Sequence, residues 1–343
     1  MKIRTSAIAV GLLLLTALLF AGKSIREAHY PLPIKPSASW ESYISSLDVQ
    51  REAFFVDSDG VMLEADLFIP NGGRAEKPAV VFSPGSGDSL YQNYAPGFVE
   101  TYILDLFLAR DFAVLLVNKR GMGQSEGNYT KSSIEGRAAD LYAAVQSVQS
   151  HPGIDEENIG LIGHSQGGWV VSHTAAEHAD IAFFISLAGP TMTMFEQGAD
   201  MYAHEGRCTG LEDEALDAYV DKRTNRTRLG IRIGEIINFG MFGFDARSQH
   251  YNPKDALTTV ANPGLFVYAE NDFLVTPALN IARMNEIFAR DIPPHIRMVI
   301  VDDATHIFRL VDDPCDSAAD PEAHPLSTQL TDILHSWLTE QGY

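Results

Sequence analysis

One serine of this sequence lies in a pattern that prepares a hydroxyl group to attack a carbonyl carbon. Residues 163–167 read G-H-S-Q-G and fit the pattern G-x-S-x-G, with Ser165 at the centre. Small residues flank the serine in this pattern because a strand turns sharply into a helix and brings backbone segments together. The hydroxyl then lies at the carboxyl ends of the strands, where open α/β sheets bind ligands. Ser165 is therefore the predicted nucleophile; a turn that serves packing alone is the alternative.

A second serine matches the same pattern, and its surroundings argue against it. The residues around Ser125 read G-Q-S-E-G. The apolar run before it ends at Asn118, and residues 128–130 continue as a polar loop, so no strand leads directly into Ser125. At Ser165 a strand runs into the motif, and a helix is predicted directly after Gly168. Ser125 is therefore predicted to be structural.

A serine hydroxyl is a weak nucleophile unless a neighbouring base takes its proton. Four of the eleven histidines follow the apolar run 264–269, namely His295, His306, His324 and His335. His306 follows the strand predicted at 296–301, which places it at the carboxyl end of that strand, on the side where Ser165 is expected. The other three lie before this strand, in a polar loop and on an amphipathic helix. His306 is the predicted base, and an ordinary loop histidine is the alternative.

The base needs a carboxylate that fixes its tautomer and stabilises the imidazolium. The run 264–269 is followed by Glu270, Asn271 and Asp272, so both acids are candidates. Asp272 is preferred because it lies deeper in the loop, and a helix cap or a solvated turn acid is the alternative role. The resulting chain order is serine, acid, histidine, one of the known orders for such triads.

Acyl transfer builds negative charge on the carbonyl oxygen, and two fixed N–H donors would stabilise it. The backbone N–H of Gln166, directly after the nucleophile, is the first predicted donor. The second is expected from the loop 84–88, with the backbone of Ser86 preferred over that of Gly85. Glycines that only make a turn are the alternative reading of this loop.

The elements that must position these residues alternate between strands and helices. Strands are predicted at 53–56, 61–69, 79–83, 112–118, 159–163, 182–187, 264–269 and 296–301, and helices at 98–110, 134–150, 169–179 and 326–339. Solidly apolar strands separated by helices indicate a mostly parallel, doubly wound α/β sheet with helices on both faces. The stretch from Pro190 to Lys254 interrupts this order and is predicted to be a helical insertion. Its many Met and Phe residues favour either ordinary packing or an apolar acyl or alcohol pocket.

Jointly, these motifs resemble those of the α/β-hydrolase superfamily over about residues 52–341. The matching segments are 84–87, 118–125, 163–168, 270–272 and His306. The resemblance implies an eight-stranded sheet, a helical cap inserted at about 190–254 after the sixth strand, and no cofactor. Within the superfamily, the G-H-S-Q-G-G sequence is most similar to serine esterases and peptidase-like members. Three positions depart from the common pattern, namely Pro84, Asn118 and Ala269.

The N-terminus reads as an export signal. Lys2 and Arg4 precede an uncharged, Leu-rich run at 5–22, which predicts a signal peptide over residues 1–22. Left uncleaved, a run of this length would serve as an N-terminal membrane anchor. Residues 23–51 are predicted to be a spacer before a hydrolase domain at 52–343, and the location is expected to be periplasmic or extracellular.

Export changes the interpretation of the two cysteines, because an oxidising compartment permits a disulfide. Cys208 and Cys315 would then join a mid-chain segment to a loop near the C-terminus, and two separate thiols are the alternative. The sequence has no H-E-x-x-H motif, cysteine–histidine cluster or EF-hand loop, so no metal site is predicted.

The charge composition limits the classes of partner that the protein is expected to bind. The 343 residues include 45 acidic and 25 basic ones, for a formal net charge of −20, which argues against nucleic acid as a partner. The only membrane contact expected is the N-terminal segment. The predicted function is a secreted serine hydrolase that cleaves small carboxylic esters. An exopeptidase or amidase with the same triad is the alternative, although no charged anchor for a substrate amine is evident. A non-catalytic binding protein on this fold is less favoured.

Overall fold

A computed structural model describes residues 35–237, 241–316 and 323–343 of the chain. The predicted N-terminal signal or anchor at 1–22 lies outside the described residues. Within those residues, no helix combines the length and the apolar character that a membrane crossing would require.

One sheet of eight strands forms the centre of the molecule. The strands are β1 (Val49–Ser58), β2 (Val61–Pro70), β3 (Lys77–Ser83), β4 (Ala113–Val117), β5 (Ile154–His164), β6 (Phe183–Leu187), β7 (Gly264–Ala269) and β8 (Ile296–Val301). Their order across the sheet is β1-β2-β4-β3-β5-β6-β7-β8. The β1–β2 and β2–β4 pairs are antiparallel, and all other pairs are parallel. The predicted mostly parallel, eight-stranded α/β sheet is confirmed.

Helices cover both faces of this sheet. They are α1 (Ala38–Ile44), α2 (Leu106–Leu108, preceded by the π-helical turns Val99–Asp105), α3 (Ile134–Gln149), α4 (Gln166–Glu177), α5 (Met194–Cys208), α6 (Asp213–Ile237), α7 (Met241–Ser248), α8 (Pro253–Thr259), α9 (Pro277–Ile287) and α10 (Thr328–Glu340). Short 3-10 turns lie at Tyr91–Asn93 and Tyr129–Lys131.

The central strands are buried on both faces because their side chains alternate between two apolar cores. In β3, Val80 and Phe82 belong to the core that also contains α10, whereas Ala79 and Val81 belong to the core on the α3 and α4 side. Burial on both faces removes the alternation of polar and apolar residues, which explains why the strands read as solid apolar runs.

The folded unit begins earlier in the chain than the predicted boundary at residue 52. Helix α1 caps its first turn with the hydroxyl of Ser37 and places Trp40 fully inside the core, in edge contact with Tyr91. Strand β1 begins at Val49 rather than in the predicted run from Ala53. The described part of the predicted spacer is therefore packed structure, because burying an indole removes a large apolar area from water.

A helical segment, here called the cap, lies between β6 and β7 and comprises α5 to α8. Helix α5 begins with a capping box, in which Thr193 and Glu196 satisfy each other's backbone N–H groups. Phe244 of α7 stacks on Tyr129 with ring centroids 4.7 Å apart, which attaches the cap to a loop of the sheet domain. The cap and the sheet domain are therefore packed together through aromatic contacts.

Candidate active site

Ser165 occupies a strained turn between β5 and α4. Its φ of 55° lies in the left-handed region, which is uncommon for a residue with a side chain. The Ser165 N–H donates to the carbonyl of Leu187 at 2.8 Å, and its carbonyl accepts from the N–H of Gly168 at 2.8 Å. Tertiary hydrogen bonds therefore hold the turn in a conformation that the free chain would avoid.

Helix α4 starts at Gln166, directly after the serine, rather than after Gly168 as predicted. Gly167 lies so close to the end of β3 that a Cβ atom on it would collide with the carbonyl oxygen of Ser83. This position in the first helical turn therefore requires a glycine. Because glycine has a low helix propensity, the sequence pattern predicts a helix that starts too late.

The predicted acid and base are in contact. Nδ1 of His306 lies 2.7 Å from Oδ2 of Asp272, and both side chains are buried. The other carboxylate oxygen of Asp272 accepts the backbone N–H groups of Leu274 and Val275, each at 2.8 Å. The carboxylate is therefore fixed by its own loop before it meets the histidine. Because the carboxylate of Asp272 is buried, its hydrogen bond to His306 is shielded from water.

The alternatives considered for acid and nucleophile lie elsewhere. Glu270 is exposed and accepts the backbone N–H of Asp303 at 3.0 Å. The hydroxyl of Ser125 is buried, donates to the carbonyl of Asn118 at 3.0 Å and accepts the N–H of Glu64 at 2.9 Å. Both residues are thus engaged in local structure.

His164 joins the turn of Ser165 to the loop that carries His306. Its Nε2 lies 2.7 Å from the carbonyl oxygen of His306, and because a carbonyl only accepts, Nε2 carries the proton. Burial, and then the neighbouring His306, hold the pKa of His164 well below its usual value. Neutral His164 therefore accepts at Nδ1 from the hydroxyl of Tyr94, 2.5 Å away.

The hydroxyl of Ser165 has no hydrogen-bond partner among the described residues, and this includes His306. Catalytic hydrogen bonds are often long before substrate binds and tighten in the reacting complex. The structure thus brings Asp272 and His306 together and places His306 beside the nucleophile turn through His164.

The loop after β3 lies against Ser165. A Cβ on Gly85 would stand 3.1 Å from Cβ of Ser165 and would collide with the hydroxyl of Tyr94. The N–H of Gly85 donates to that hydroxyl at 2.9 Å, so it is already used. The N–H of Ser86 has no acceptor within the described part of the chain. Of the two predicted donors in this loop, Ser86 is therefore the one left unengaged.

Two buried cations hold the carbonyl groups of this loop. Lys119 Nζ donates to the carbonyls of Gly85 at 2.9 Å and Gly87 at 2.6 Å. Because a trans peptide points its C=O and N–H in opposite directions, the Ser86 N–H faces away from Lys119. Burial, and then the charge of Arg137, hold the pKa of Lys119 well below its usual value.

Arg137 connects the two halves of the candidate oxyanion site. Its guanidinium donates to the carbonyl of Pro84, to the hydroxyl of Ser83 at 3.3 Å and to Oε1 of Gln166 at 2.6 Å. The same amide oxygen of Gln166 accepts the hydroxyl of Tyr129 at 2.9 Å. The side chain of Gln166 is thereby fixed, and its backbone N–H remains at the free N-terminus of α4.

Sequence reasoning did not single out Tyr94, Lys119 or Arg137. One signal was available for Arg137, which lies in helical register with Leu141 and Val148 on the buried face of α3. A cation on an apolar helix face must find partners inside the protein. The contacts of Tyr94 depend on the folded loop and leave no comparable trace in the sequence.

The cap packs on the loop that carries Asp272. Helix α5 contacts this loop through Gln197, which donates to the carbonyl of Leu274, and Asp200, which accepts the hydroxyl of Thr276 at 2.5 Å. A disulfide joins Cys208, the last residue of α5, to Cys315.

His204 lies next to the disulfide, and the three residues form the one cluster of His, Cys and acidic groups close enough to hold a metal ion within the described ranges. The two sulfur atoms are bonded to each other, so they offer no thiolate ligand. The ring of His204 instead stacks near Phe273, with centroids 5.7 Å apart. We therefore interpret this cluster as a packing contact between the cap and the loop of Phe273.

Comparison with known proteins gives a consistent result. Residues 80–320 match a family model described as "alpha/beta hydrolase family". Over 137 residues the chain is 30% identical to a thiohydrolase, aneE, of Aspergillus aculeatus, and the match covers 40% of each protein. The chain thus spans about two fifths of the length of this curated relative.

Solved structures share the fold at low sequence identity. An esterase of Pyrococcus furiosus aligns with a TM-score of 0.59 and 17% identity over 91% of this chain and 97% of its own. Est1E from Butyrivibrio proteoclasticus, solved with ferulic acid bound, gives a TM-score of 0.54 and 18% identity over 84% and 99%. A 2,6-dihydroxy-pseudo-oxynicotine hydrolase gives 0.57 and 18% over 86% and 70%. At these identities the likeness shows the fold.

Proposed function

We propose that this chain, which belongs to the alpha/beta hydrolase family, is a serine hydrolase that cleaves carboxylic esters through an acyl-enzyme intermediate. The observation that carries the proposal is the hydrogen bond of 2.7 Å between buried His306 and buried Asp272, beside the strained turn of Ser165. A buried histidine held by a carboxylate next to an otherwise unpartnered serine is the arrangement that activates a hydroxyl nucleophile.

The same catalytic groups would act in both halves of the reaction, the formation of the acyl-enzyme and its hydrolysis. With Nδ1 donating to Asp272, the other ring nitrogen of His306 takes the proton of Ser165 as its oxygen attacks the ester carbonyl. The N–H groups of Gln166 and Ser86 donate hydrogen bonds to the carbonyl oxygen as negative charge develops on it. His306 returns the proton to the leaving alcohol. It then takes a proton from the water molecule that attacks the acyl-enzyme, and gives this proton to the Ser165 oxygen as the carboxylic acid product leaves.

One observation favours an amidase or aminopeptidase as a second candidate. Asp245 of the cap helix α7 has no hydrogen-bond or ion-pair partner within the described residues, and burial raises its pKa to about 6. Burial also raises the pKa of Tyr129, and the charge of Asp245 adds to that effect, so the carboxylate lies near the residue that contacts Gln166. Such a carboxylate could hold a substrate ammonium group.

An aryl ester and an amino-acid arylamide with a free amine distinguish the two reactions. We expect kcat/KM to be much higher for the ester, and unchanged by Asp245→Asn. If the arylamide is preferred, its kcat/KM should rise as pH increases through about 6, where Asp245 becomes charged, and should fall in Asp245→Asn. Efficient arylamide turnover with that pH profile would reject the esterase assignment in favour of the second candidate.

Lys119→Met should lower the turnover of the ester while leaving its binding nearly intact. The substitution removes both hydrogen bonds to the loop of Gly85 and Gly87, so the Ser86 N–H is no longer fixed. Since losing one oxyanion donor typically costs about 100-fold or more in rate, we expect kcat to fall by roughly 10- to 100-fold with little change in KM. Steady-state kinetics together with thermal unfolding check this result, and Lys254→Met, at an exposed position, is the control. An unchanged kcat in a folded Lys119→Met protein would contradict the role.

We also propose export to a periplasmic or extracellular compartment. The disulfide between Cys208 and Cys315 supports this, because such bonds persist mainly in oxidising compartments, as does the basic and apolar sequence of residues 1–22. Cell fractionation with thiol alkylation tests it: recovery of the chain from the cytoplasm with both cysteines alkylated would contradict export.

A further inference from the structure

The central part of helix α6, residues 222–234, has a charge opposite to that of the chain as a whole, whereas the full helix has five acidic and five basic residues. The chain has 45 acidic residues against 25 basic ones. From Lys222 to Gly234 it has five basic residues and no acidic residue. A local excess of positive charge in so acidic a protein indicates a surface with its own electrostatic partner.

Two of the five cations are used inside the cap. Arg223 forms an ion pair of 3.1 Å with Glu205, and the guanidinium of Arg228 lies over the ring of Phe195, 5.4 Å from its centre. The other three are exposed, and none of them has an ion-pair partner among the described residues. These are Lys222, Arg226 and Arg232. The positive charge that remains free therefore points to solvent.

The same side of α6 exposes large apolar side chains. Leu229, Ile233 and Ile236 are 59%, 43% and 80% exposed, and they make up half of the six large apolar residues exposed in the described part of the chain. Gly230 and Ile231, in contrast, are buried. Exposing three such side chains side by side is costly in water unless a partner covers them.

The basic and apolar residues lie on one face of the helix. Positions 222, 226, 229, 233 and 236 are separated alternately by four and three residues, which places them in a single row, and Arg232 lies beside this row. We call this surface the α6 strip; it comprises Lys222, Arg226, Leu229, Arg232, Ile233 and Ile236. It has a basic end, an apolar end and no carboxylate of its own.

We propose that the α6 strip docks the protein on the surface of an anionic lipid bilayer. A helix with apolar side chains flanked by Lys and Arg lies in the plane of the interface, with the apolar residues among the acyl chains and the cations near the headgroups. Anionic headgroups also attract each basic residue close to the surface. A bilayer can therefore contact both ends of the strip at once, because its anionic headgroups attract the basic residues and its acyl chains accommodate the apolar ones.

A second copy of the chain fits this surface less well. A two-fold contact would set the strip against itself, and no residue of the strip offers a carboxylate to Lys222, Arg226 or Arg232 of the other copy. The electrostatic repulsion between these groups opposes burial of the apolar end. An acidic partner protein is a separate possibility, which the experiment below distinguishes.

Binding of the full-length chain to lipid vesicles tests the proposal without relying on the reaction. The vesicles contain phosphatidylcholine alone or phosphatidylcholine with phosphatidylserine. We expect binding to the anionic vesicles, weakened at least roughly 100-fold in the triple variant Lys222→Glu, Arg226→Glu, Arg232→Glu, since each basic residue that is lost removes about a fivefold factor near such a surface and the new carboxylates are repelled by it. The control variant Arg74→Glu, Lys254→Glu, Arg290→Glu changes exposed residues elsewhere by the same net charge and should bind as the wild type does.

A local probe separates the strip from the apolar N-terminal sequence, which could bind vesicles by itself. The three native tryptophans, Trp40, Trp169 and Trp337, are all buried. Ile236→Trp therefore adds one exposed tryptophan, whose fluorescence brominated lipids should quench in anionic vesicles only. The proposal is overturned if this tryptophan is not quenched, or if the triple variant and its control bind equally well. Either result would leave an acidic protein as the occupant of the strip.

Discussion

Ser165→Ala should abolish ester hydrolysis and leave the protein folded. The alanine keeps the Cβ atom of the strained turn, and the hydroxyl that is lost has no hydrogen-bond partner among the described residues, so the free energy of unfolding should barely change. Removing the nucleophile of a serine hydrolase lowers kcat by about 10⁶-fold, which here means activity at the background level. Ester turnover and covalent labelling by a fluorophosphonate probe measure the loss, and thermal unfolding measures the stability.

Ser125→Ala is the matched control, because Ser125 has the same sequence pattern and a different environment. Its buried hydroxyl bonds the carbonyl of Asn118 and the N–H of Glu64, so the substitution should cost about 1–3 kcal/mol of stability while probe labelling persists. The two variants should thus show opposite behaviour. Labelling that survives in Ser165→Ala, or disappears in a folded Ser125→Ala protein, would overturn the assignment of the nucleophile.

Asp272→Asn should slow ester hydrolysis by about 10⁴-fold with little change in the fold, because in serine triads an amide at this place favours the wrong histidine tautomer. The remaining carbonyl oxygen of the asparagine can still accept the N–H groups of Leu274 and Val275, so the loop should keep its conformation. The defect should appear in kcat rather than in KM, because His306 would keep its position but would carry its proton on the wrong ring nitrogen for catalysis.

Glu270→Gln tests the competing acid of the same loop. The Glu270 side chain is exposed, and among the described residues it bonds only the backbone of Asp303, so its change should alter kcat by less than about twofold, in line with surface substitutions generally. Kinetics of the two variants under the same conditions decide between the acids. A large loss in Glu270→Gln with near-normal activity in Asp272→Asn would reverse the assignment.

The parts of the site that could be predicted from the sequence are the residues that follow closely after a recognisable strand. Ser165, Asp272 and His306 each follow a strand that reads as an apolar run, and parallel strands bring their carboxyl ends to one edge of the sheet. The contact between Asp272 and His306 then follows from the adjacency of β7 and β8. The sheet itself could be predicted for the same reason, since burial on both faces makes its strands conspicuous.

The supporting contacts could not be predicted, because they join residues that are distant in the chain and ordinary in type. Tyr94 becomes important only where it meets Gly85 and His164 at once. The start of α4 was misplaced because its glycines serve close packing rather than helix formation: Gly167 lies against the end of β3 and Gly168 against Ser186 of β6. Trp40 belongs to the core although the prolines before it are typical of a spacer.

The bond between Cys208 and Cys315 closes a covalent ring of chain around the acid and the base. The two cysteines are 107 residues apart, and Asp272 and His306 both lie on the segment between them, whereas Ser165 lies outside it. A single proteolytic cut anywhere in this segment opens the ring without releasing a fragment. Asp272 and His306 would both stay tethered to the half of the chain that carries Ser165. The nicked protein should therefore migrate as one species on a denaturing gel until a reductant separates its two pieces.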